Sequence, residues 1–392
     1  MVSDTIYSME FRRKQNIATA LSPKRALIIY GPRRVGKTTL LQSYLAAPAT
    51  KNRYAQMFSS SGDDFALREI FGSEMLKRII DFARPYELIA IDEAQQIPSI
   101  GLAVKMIIDA FPEKIIILTG SSSFSIAEKV SALTGRHFTL TLLPLSQGEM
   151  AGGSFEIHTA LSDFLIYGSY PEVLLEPDKK EKARILTELI SSYLFKDALA
   201  LDAVKSPQVL LDVVKCLAFQ VGNEVSLNEI ARTVQTDVKT VGRYIDVLEK
   251  IFVIKKVRGF SRNLRNEISK KAKYYFLDNG VRNAVIAQFN DLNLRNDIGA
   301  LWENFIFMEL LKKSNLEEEL AQYYFWRTHT GQEIDIVKEA GGALTAIECK
   351  WQAETARVPP LWKEAYPDAA SLTLHRENYL EYLLSSAAKV RS

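Results

Sequence analysis

The sequence predicts an α/β protein of several domains, and three features of its 392 residues favour this fold class. In the first third, short apolar runs such as Ala26–Tyr30 alternate with segments of helical periodicity, which is typical of a parallel sheet covered by helices. A glycine-containing loop follows the first of these runs and opens a helix. In the last hundred residues, two strand-like runs flank the turn Ala340–Gly342, which predicts a β-hairpin.

The composition excludes several classes of protein. With 47% hydrophobic and 24% charged residues, the chain is typical of a soluble globular protein, and its net charge of +2 does not by itself indicate a nucleic-acid partner. Only Cys216 and Cys349 are cysteines, which excludes a disulfide framework and suits a reducing cytosol. No run approaches the roughly 18 apolar residues of a membrane span, and the N-terminal stretch has no apolar core after its charges, so it is not expected to be a signal peptide. A cytoplasmic protein without membrane contact is therefore expected.

The segment Gly31–Leu40 reads GPRRVGKTTL and contains the G-x-x-x-x-G-K-[ST] pattern of a phosphate-binding loop. Its flanks are the required ones, an apolar strand before it and a helix after it. The loop N–H groups and the helix N-terminus would face phosphate oxygens, Lys37 would reach the β- and γ-phosphates, and the Thr38 hydroxyl would bind Mg²⁺. The predicted nucleotide-binding residues are Gly31, Pro32, Arg33, Arg34, Val35, Gly36, Lys37, Thr38 and Thr39.

A second apolar strand, Glu87–Glu93, ends in two acids. Asp92 is expected to hold Mg²⁺ through water or through Thr38, as a metal ligand of the site. Glu93 is expected to orient and activate the attacking water. An acidic strand end that faces solvent is the alternative, and the phosphate-binding loop upstream makes it less favoured.

Two further positions are candidates for the same chemistry. The third apolar strand, Lys114–Gly120, leads to polar residues, of which Thr119 and Ser121 are both candidates for sensing the γ-phosphate, although serines also cap helices. Arg136 falls between a predicted helix, residues 125–133, and the next strand, where it would reach the nucleotide of a neighbouring subunit and stabilise the transferring phosphate. A surface arginine is the alternative reading of Arg136.

Together these motifs resemble the AAA+ ATPases, and more narrowly the prokaryotic ATP-binding proteins near the archaeal-ATPase and STAND-like branches. The resemblance is carried by the strings GPRRVGKTTL, LIAIDEAQQIP, IILTGSSS and LTGRHFTLTLLPLSQGE. It implies ATP rather than GTP, a homo-oligomer, and a helical lid. In the lid, the string around Pro171 resembles the family's Gly-x-Pro element, which places Pro171 against adenine; a plain turn is the alternative.

Residues 206–290 predict a winged helix, because three helical patterns follow one another with short turns. The second opens with a capping box at Ser226, and the third exposes Lys239, Thr240 and Arg243 near its start, where such a helix faces DNA. The segment after it is the clearest basic cluster of the chain, and it contains Lys255, Lys256, Arg258, Arg262, Arg265, Lys270, Lys271 and Lys273. Phosphate contact is its natural use, and a solvated β-wing or a protein-binding module is the alternative.

The last hundred residues carry a pattern of acids and one lysine. The helical run 298–313 places Glu303 on an apolar face, where a carboxylate needs a partner. Asp335 lies in one predicted strand, and Glu348 and Lys350 share a face of the next. An acid followed by E-x-K resembles the PD-(D/E)xK nuclease fold, here without a proline before Asp335, and an ordinary charged hairpin is the alternative.

The nuclease resemblance extends to the C-terminal domain that follows the ATPase in many prokaryotic AAA+ chains, through the strings GALWENFIFMELL, TGQEIDIV and AIECKW. It implies that Asp335 and Glu348 bind Mg²⁺ and that Glu303 completes the site. Lys350 would position or activate water and stabilise developing negative charge. Cleavage does not follow from the resemblance alone.

The sequence thus predicts an AAA+ P-loop ATPase core over residues 1–150, a helical lid over 151–205, a winged helix over 206–290 and a restriction-endonuclease-like α/β domain over 291–392. The first hypothesis is a Mg²⁺-dependent ATPase that binds duplex or branched DNA and couples hydrolysis to translocation or remodelling, with DNA cleavage left open. The alternative is a STAND-like regulatory ATP switch whose non-cleaving nuclease fold binds a partner.

Overall fold

The computed structural model describes residues 10–120, 131–199, 204–261 and 272–385. The chain divides into two compact units: an N-terminal unit, Arg13–Leu143, and a C-terminal unit made of Met1–Arg12 and Pro144–Ser392. The short strand β1 (Glu10–Phe11) belongs to the C-terminal unit, where it pairs antiparallel with Met150–Ala151. The N-terminal unit is therefore inserted, in sequence, between two strands of the C-terminal unit.

The N-terminal unit contains a five-stranded parallel sheet. Its strands are β2 (Ala26–Tyr30), β3 (Met57–Ser61), β4 (Leu88–Asp92), β5 (Ile115–Gly120) and β6 (His137–Thr141). Their order in the sheet is β3-β4-β5-β2-β6. Strands β2 and β5 are buried along their whole length, which explains why the sequence shows continuous apolar runs rather than alternation. Strand β5 lies between the loop-bearing strand β2 and the acid-bearing strand β4, so the three carboxyl ends meet at one edge.

Helices connect these strands. They are α1 (Ile17–Ala20), α2 (Lys37–Ala46), α3 (Pro48–Arg53), α4 (Phe65–Gly72), α5 (Leu76–Ala83) and α6 (Ile100–Ala110). Helix α2 directly follows the phosphate-binding loop, as the motif predicts. Of the helix predicted over residues 125–133, the part up to residue 130 lies outside the described residues, and Ser131–Leu133 forms a 3₁₀ turn.

The C-terminal unit begins with β7 (Met150–Ala151) and a run of helices. These are α7 (Ser154–Thr159), α8 (Leu161–Tyr167), α9 (Pro171–Leu175), α10 (Lys179–Leu199), α11 (Pro207–Phe219), α12 (Leu227–Thr233), α13 (Val238–Lys250), α14 (Asn279–Val285), α15 (Ile298–Leu316), α16 (Pro360–Ala365) and α17 (Tyr379–Leu384). Side-chain oxygens of Ser226 and Asp237 cap α12 and α13, and the helix start predicted at Ser226 is found. Within the described ranges, no helix has the length and apolar character needed to cross a membrane.

One mixed sheet of seven strands runs through the C-terminal unit. The strands are β8 (Glu224–Val225), β9 (Ile254–Gly259), β10 (Ala272–Phe276), β11 (Ala321–Arg327), β12 (Glu333–Ala340), β13 (Ala343–Cys349) and β14 (Ala370–Leu374), in the order β14-β13-β12-β11-β9-β10-β8. Strand β9 pairs in parallel with β11 through Tyr324 opposite Arg258. Strands of the predicted winged helix and of the predicted nuclease-like region therefore belong to the same sheet, while the division into four domains stays a prediction.

Candidate functional site

The phosphate-binding loop follows β2 and depends on its two glycines. A Cβ atom on Gly31 would lie 2.0 Å from the carbonyl oxygen of Leu142, so no larger residue fits against that backbone. Gly36 has a φ of +92° and is the N-cap of α2, a left-handed conformation that side chains rarely adopt. The backbone curl that the motif predicts is thus built from one close approach and one left-handed residue.

Lys37 is folded back over the loop. Its side chain is buried, and its ammonium group donates to the carbonyl oxygens of Gly31 at 3.0 Å and Pro32 at 2.7 Å. These bonds hold the positive charge at the mouth of the loop, next to the backbone that is expected to face phosphate oxygens. A bound phosphate would compete with the two carbonyls for the same ammonium group.

A chain of hydrogen bonds joins the three strand ends around Asp92. The Thr38 hydroxyl donates to one Asp92 carboxylate oxygen at 2.7 Å, and the Thr119 hydroxyl donates to the other. The Glu93 N–H in turn donates to Thr119 Oγ1 at 3.1 Å. A hydroxyl and a carboxylate side by side are hard oxygen ligands of the kind that Mg²⁺ prefers. Thr38 and Asp92 therefore fit a magnesium ion, which would neutralise charge on bound phosphates, and Lys37 fits those phosphates.

Glu93 sits in an unusual backbone conformation with a φ of +49°. Non-glycine residues rarely adopt this region, and such conformations concentrate at functional sites. Its carboxylate accepts a hydrogen bond from the side-chain amide of Gln95, a buried residue of the following 3₁₀ turn. Gln95 was missed by the sequence analysis because a single glutamine after the two acids carries no pattern.

Three other residues of this unit were candidates for the same chemistry: Thr119, Ser121 and Arg136. Thr119 is fully buried at the end of β5 and touches both acids, whereas Ser121 lies outside the described residues. Arg136 precedes β6, whose parallel register with β2 places it at the amino ends of the strands, opposite to the loop. There it forms an ion pair with Asp109 at 3.1 Å and borders an open cleft. Arg136 is thus remote from its own loop, and its action on a neighbouring subunit stays a prediction.

Pro171 belongs to the C-terminal unit, where it is the first residue of α9. The segment before it is held by Asp278, whose carboxylate accepts the Ser169 N–H at 2.7 Å. A Cβ atom on Gly168 would lie 1.9 Å from that carboxylate, so the glycine is required by close packing. This accounts for the glycine of the lid string, while the contact of Pro171 with adenine stays a prediction.

The C-terminal unit carries a second candidate site on β12 and β13. Ile336 is opposite Ile347 in the antiparallel register, so Asp335 and Glu348, the next residues on either strand, are neighbours. Asp335 accepts the Cys349 N–H at 2.8 Å, and Glu348 lies 3.4 Å from the Lys350 ammonium group. Burial and the nearby Asp335 charge raise the pKa of Glu348 to about 7, although Lys350 opposes the shift.

Glu303 is close to these acids but has another partner. The Lys273 ammonium group lies 3.1 Å from a Glu303 oxygen and 2.8 Å from a Glu333 oxygen, and the Tyr275 hydroxyl donates to Glu303 at 2.6 Å. Burial raises the pKa of Glu303 to about 7, against the opposing effect of Lys273. For Lys273, burial lowers the pKa, but the two glutamates outweigh it and the pKa is raised overall.

This arrangement corrects the expectation for Lys273. The sequence placed it in the basic cluster that contacts phosphates, but its side chain is 1% exposed and ion-paired with two carboxylates. Its strand has the sequence AKYYF, in which lysine is the single charge among apolar and aromatic residues, and that was the available signal of burial. Of the other cluster members, Arg262, Arg265, Lys270 and Lys271 lie outside the described residues.

One carboxylate oxygen of Glu303, Oε1, accepts hydrogen bonds from both Lys273 and Tyr275, and the role of Glu303 in completing the site stays a prediction. Across the ranges that the structure describes, no three or more histidine, cysteine, aspartate or glutamate side chains are grouped to hold a metal ion. Asp335 and Glu348 still form a carboxylate pair with Lys350 beside it, and their roles stay predictions.

Comparison with known families agrees with the geometry of the N-terminal unit. Residues 23–151 match the family model described as an AAA domain, and they contain the loop, the two acids and all five strands of the parallel sheet. The N-terminal unit has the AAA+ type of P-loop fold. This confirms the predicted fold class for the first third of the chain. Residues 158–293 and 298–374 match two domains of unknown function (DUF8612 and DUF4143), so the winged helix and the nuclease-like fold stay predictions.

Two curated relatives match most of this chain. A protein of Haemophilus influenzae is 26% identical over 306 residues, which is 73% of this chain and 74% of that protein. A protein of Mycobacterium tuberculosis is 23% identical over 337 residues, 84% of this chain and 71% of the relative. Both are described as uncharacterized proteins, so they show that the arrangement recurs without assigning its function.

Among solved structures, the chain is similar to the replication initiator DnaA bound to AMPPCP and single-stranded DNA. The identity is 18%, the alignment covers 63% of this chain and 86% of that one, and the TM-score is 0.29. A likeness of this extent does not bear on the function of the protein.

Proposed function

We propose that this protein is a Mg²⁺-dependent ATP hydrolase that binds DNA, duplex or branched, and couples hydrolysis to translocation or remodelling of that DNA. The observation that carries the hydrolase part is the convergence of Lys37, the Thr38–Asp92–Thr119 hydrogen bonds and Glu93 at one edge of the parallel sheet. Each group has the chemistry that phosphoryl transfer to water requires.

The roles of the groups follow from their positions. Lys37 and the loop N–H groups would balance the charge of the β- and γ-phosphates. Glu93 would accept a proton from the water whose oxygen bonds to the γ-phosphorus, while the bond from that phosphorus to the β,γ-bridging oxygen breaks. Thr119 links the backbone of Glu93 to Asp92 through two hydrogen bonds. A shift of the magnesium ligand Asp92 would therefore also shift Glu93, the proposed base.

Replacing Glu93 with glutamine should separate binding from hydrolysis. Glu93→Gln keeps the shape of the side chain but removes the proton acceptor, so kcat should fall by about 10²–10⁴-fold while the Kd for ATP stays within about threefold. Glu113→Gln, an exposed acid in the same unit, is the matched control and should leave both quantities unchanged. Steady-state hydrolysis and equilibrium binding of ATP measure the two effects. Wild-type kcat in Glu93→Gln would remove Glu93 from the proposed chemistry.

The DNA part of the proposal rests on helix α13. One face of this helix is buried and includes Val241, Tyr244 and Leu248. Near the start of the helix, Lys239 and Arg243 are exposed. The Thr240 hydroxyl donates to Asp237 at 2.7 Å, so this predicted DNA contact is used in capping the helix. Two exposed cations on the first turns of a helix that follows a short turn are the arrangement with which such helices approach DNA.

Removing the two positive charges from this helix should weaken binding to DNA of any sequence. The double variant Lys239→Ala, Arg243→Ala should reduce the slope of log K against log salt by about 2 and leave hydrolysis without DNA unchanged. Lys180→Ala, Arg184→Ala on α10 removes the same charge from exposed positions elsewhere in the C-terminal unit and is the control. Fluorescence anisotropy of labelled duplex over a salt series measures the slope. Equal slopes for the wild type and both variants would remove α13 from the interface.

A second candidate function, a regulatory ATP switch with a non-cleaving C-terminal unit, is favoured by Lys273. Its ammonium group forms ion pairs with both Glu303 and Glu333, so two acids of the cluster have a cationic partner from within the protein instead of a metal ion. Under this candidate, the C-terminal unit binds a partner rather than cutting DNA, and hydrolysis is slow and indifferent to DNA.

A further inference from the structure

The segment that leads into the N-terminal unit carries a polar group for which the chemistry above has no use. We propose that Gln15 reads the base of the bound nucleotide, through the 6-amino group and N7 of adenine. The inference rests on the proposed nucleotide site and extends it to the choice of ATP over GTP, which the sequence left to family resemblance.

The side chain of Gln15 faces the nucleotide-binding unit. Along the extended segment from Arg13 to Ile17, burial alternates: Arg13 and Gln15 are partly buried, Ile17 is fully buried, and the residues between them are exposed. Alternation of this kind shows that every second side chain turns inward. Gln15 is therefore on the same side as Arg13 and Ile17.

Both neighbours on that side contact the loop or its helix. The Arg13 guanidinium group donates to the carbonyl oxygen of Val35, inside the phosphate-binding loop. Ile17 lies in α1, which packs against α2, the helix that the loop opens. Two residues of chain span at most about 7 Å, so Gln15 is held within that distance of a residue bonded to the loop. This is within the length of a nucleoside whose phosphates occupy the loop.

The side-chain amide of Gln15 contains a hydrogen-bond acceptor that lacks a donor. Its Oε1 atom is buried, and none of the described residues donates a hydrogen bond to it. A buried acceptor without a donor costs about 1–3 kcal/mol, so such an atom is rare unless something else satisfies it. The residue as a whole is only partly buried and its amide ends a flexible side chain, so the amide can turn to meet a donor on a ligand.

Adenine has the matching groups and the 6-oxo purines do not. Glutamine pairs with adenine by accepting from N6–H and donating to N7, a two-bond contact. Guanine and hypoxanthine present two acceptors, O6 and N7, at the same edge, so Oε1 would stay without a donor. The polarity of one side chain thus accounts for discrimination at purine position 6.

The test measures the Kd of the full chain for ATP and for inosine triphosphate, which has an oxygen in place of the 6-amino group and a proton on N1. The wild type should prefer ATP by about tenfold or more, since each tenfold is about 1.4 kcal/mol. Gln15→Met keeps the length of the side chain without hydrogen bonds, and should lose that preference by weakening ATP alone. Gln42→Met, an exposed glutamine on α2, is the matched control and should keep it.

A second variant distinguishes a loss of base recognition from a general loss of nucleotide binding. Gln15→Glu keeps an acceptor oxygen, so the ratio of the two Kd values should stay on the side of ATP even if both affinities fall. An unchanged ratio in Gln15→Met, or a lost preference in Gln15→Glu, overturns the inference and leaves the hydrolase proposal standing. A wild type that binds neither nucleotide overturns the proposed function and the inference with it.

Discussion

Replacing Lys37 with alanine should lower the affinity for ATP by about 100-fold and remove measurable hydrolysis. The ammonium group is buried against the loop carbonyls of Gly31 and Pro32, where it is the fixed positive charge nearest to the expected phosphates. Hydrogen bonds to charged groups contribute about 1.5–3 kcal/mol each, which sets the size of the loss. Equilibrium binding of ATP with Mg²⁺, followed by a steady-state assay, measures both effects.

Lys51→Ala is the matched control, because Lys51 is exposed on α3 in the same unit and contacts no part of the loop in the described residues. It should bind and hydrolyse ATP as the wild type does. Retained hydrolysis in Lys37→Ala would show that another site is responsible, and the assignment of the N-terminal unit as the hydrolase would fail.

The second large effect is expected in the C-terminal unit, from Lys273→Met. The substitution leaves Glu303 without its buried cation, and breaking a buried ion pair in this way destabilises a protein by about 3–5 kcal/mol. For a unit of this size, that corresponds to a fall in Tm of about 10 °C. Because the chain has two units, the loss should appear in one transition of the melting curve and leave the other in place.

The effect of Lys273→Met should depend on pH in a definite direction. Burial raises the folded-state pKa of Glu303 from 4.5 to about 7, so this group's contribution to stability falls as pH rises from about 4.5 to 7. Without Lys273, which opposes the shift, the pKa rises further, so the fall continues to higher pH and the total loss is larger. The difference in Tm between variant and wild type should therefore be small near pH 5 and large at pH 8.

Two comparisons isolate the buried charge as the cause. Adding Glu303→Gln to Lys273→Met removes the lone carboxylate and should recover part of the lost Tm at pH 8. Lys255→Met changes an exposed lysine of the neighbouring strand β9, paired with Glu249 at 3.2 Å, and should have little effect. A loss from Lys273→Met that is equal at pH 5 and pH 8 would show that lost packing, rather than the uncompensated charge, is responsible.

The sequence predicted the nucleotide-binding part of the fold well, because its determinants are local. The loop from Gly31 to Thr38 is one continuous segment whose spacing dictates its own shape. The strand that ends at Asp92 is a short continuous apolar run, which is typical of a buried parallel strand. Even so, the contact of Thr119 with both acids depended on strand order, which places β5 between β2 and β4.

What the sequence could not predict depends on contacts between distant segments. Lys273 and Glu333 are 60 residues apart, and no periodicity in either strand indicates that their side chains meet. The pairing of β9 with β11 is of the same kind, since the pattern of each strand is compatible with many neighbours. Gln15 was missed for another reason: a glutamine in a polar segment is unremarkable until its acceptor proves to be buried.

DNA binding and ATP hydrolysis should be coupled in this protein, and steady-state hydrolysis with Mg²⁺ is the measurement that decides it. The rate is measured without DNA and then with single-stranded DNA, linear duplex and a four-way junction, each with Lys37→Ala as the blank. We expect a rate that depends on Lys37 and rises severalfold with duplex or junction DNA. A slow rate that depends on Lys37 but stays the same with all four would contradict the coupling and favour the regulatory switch.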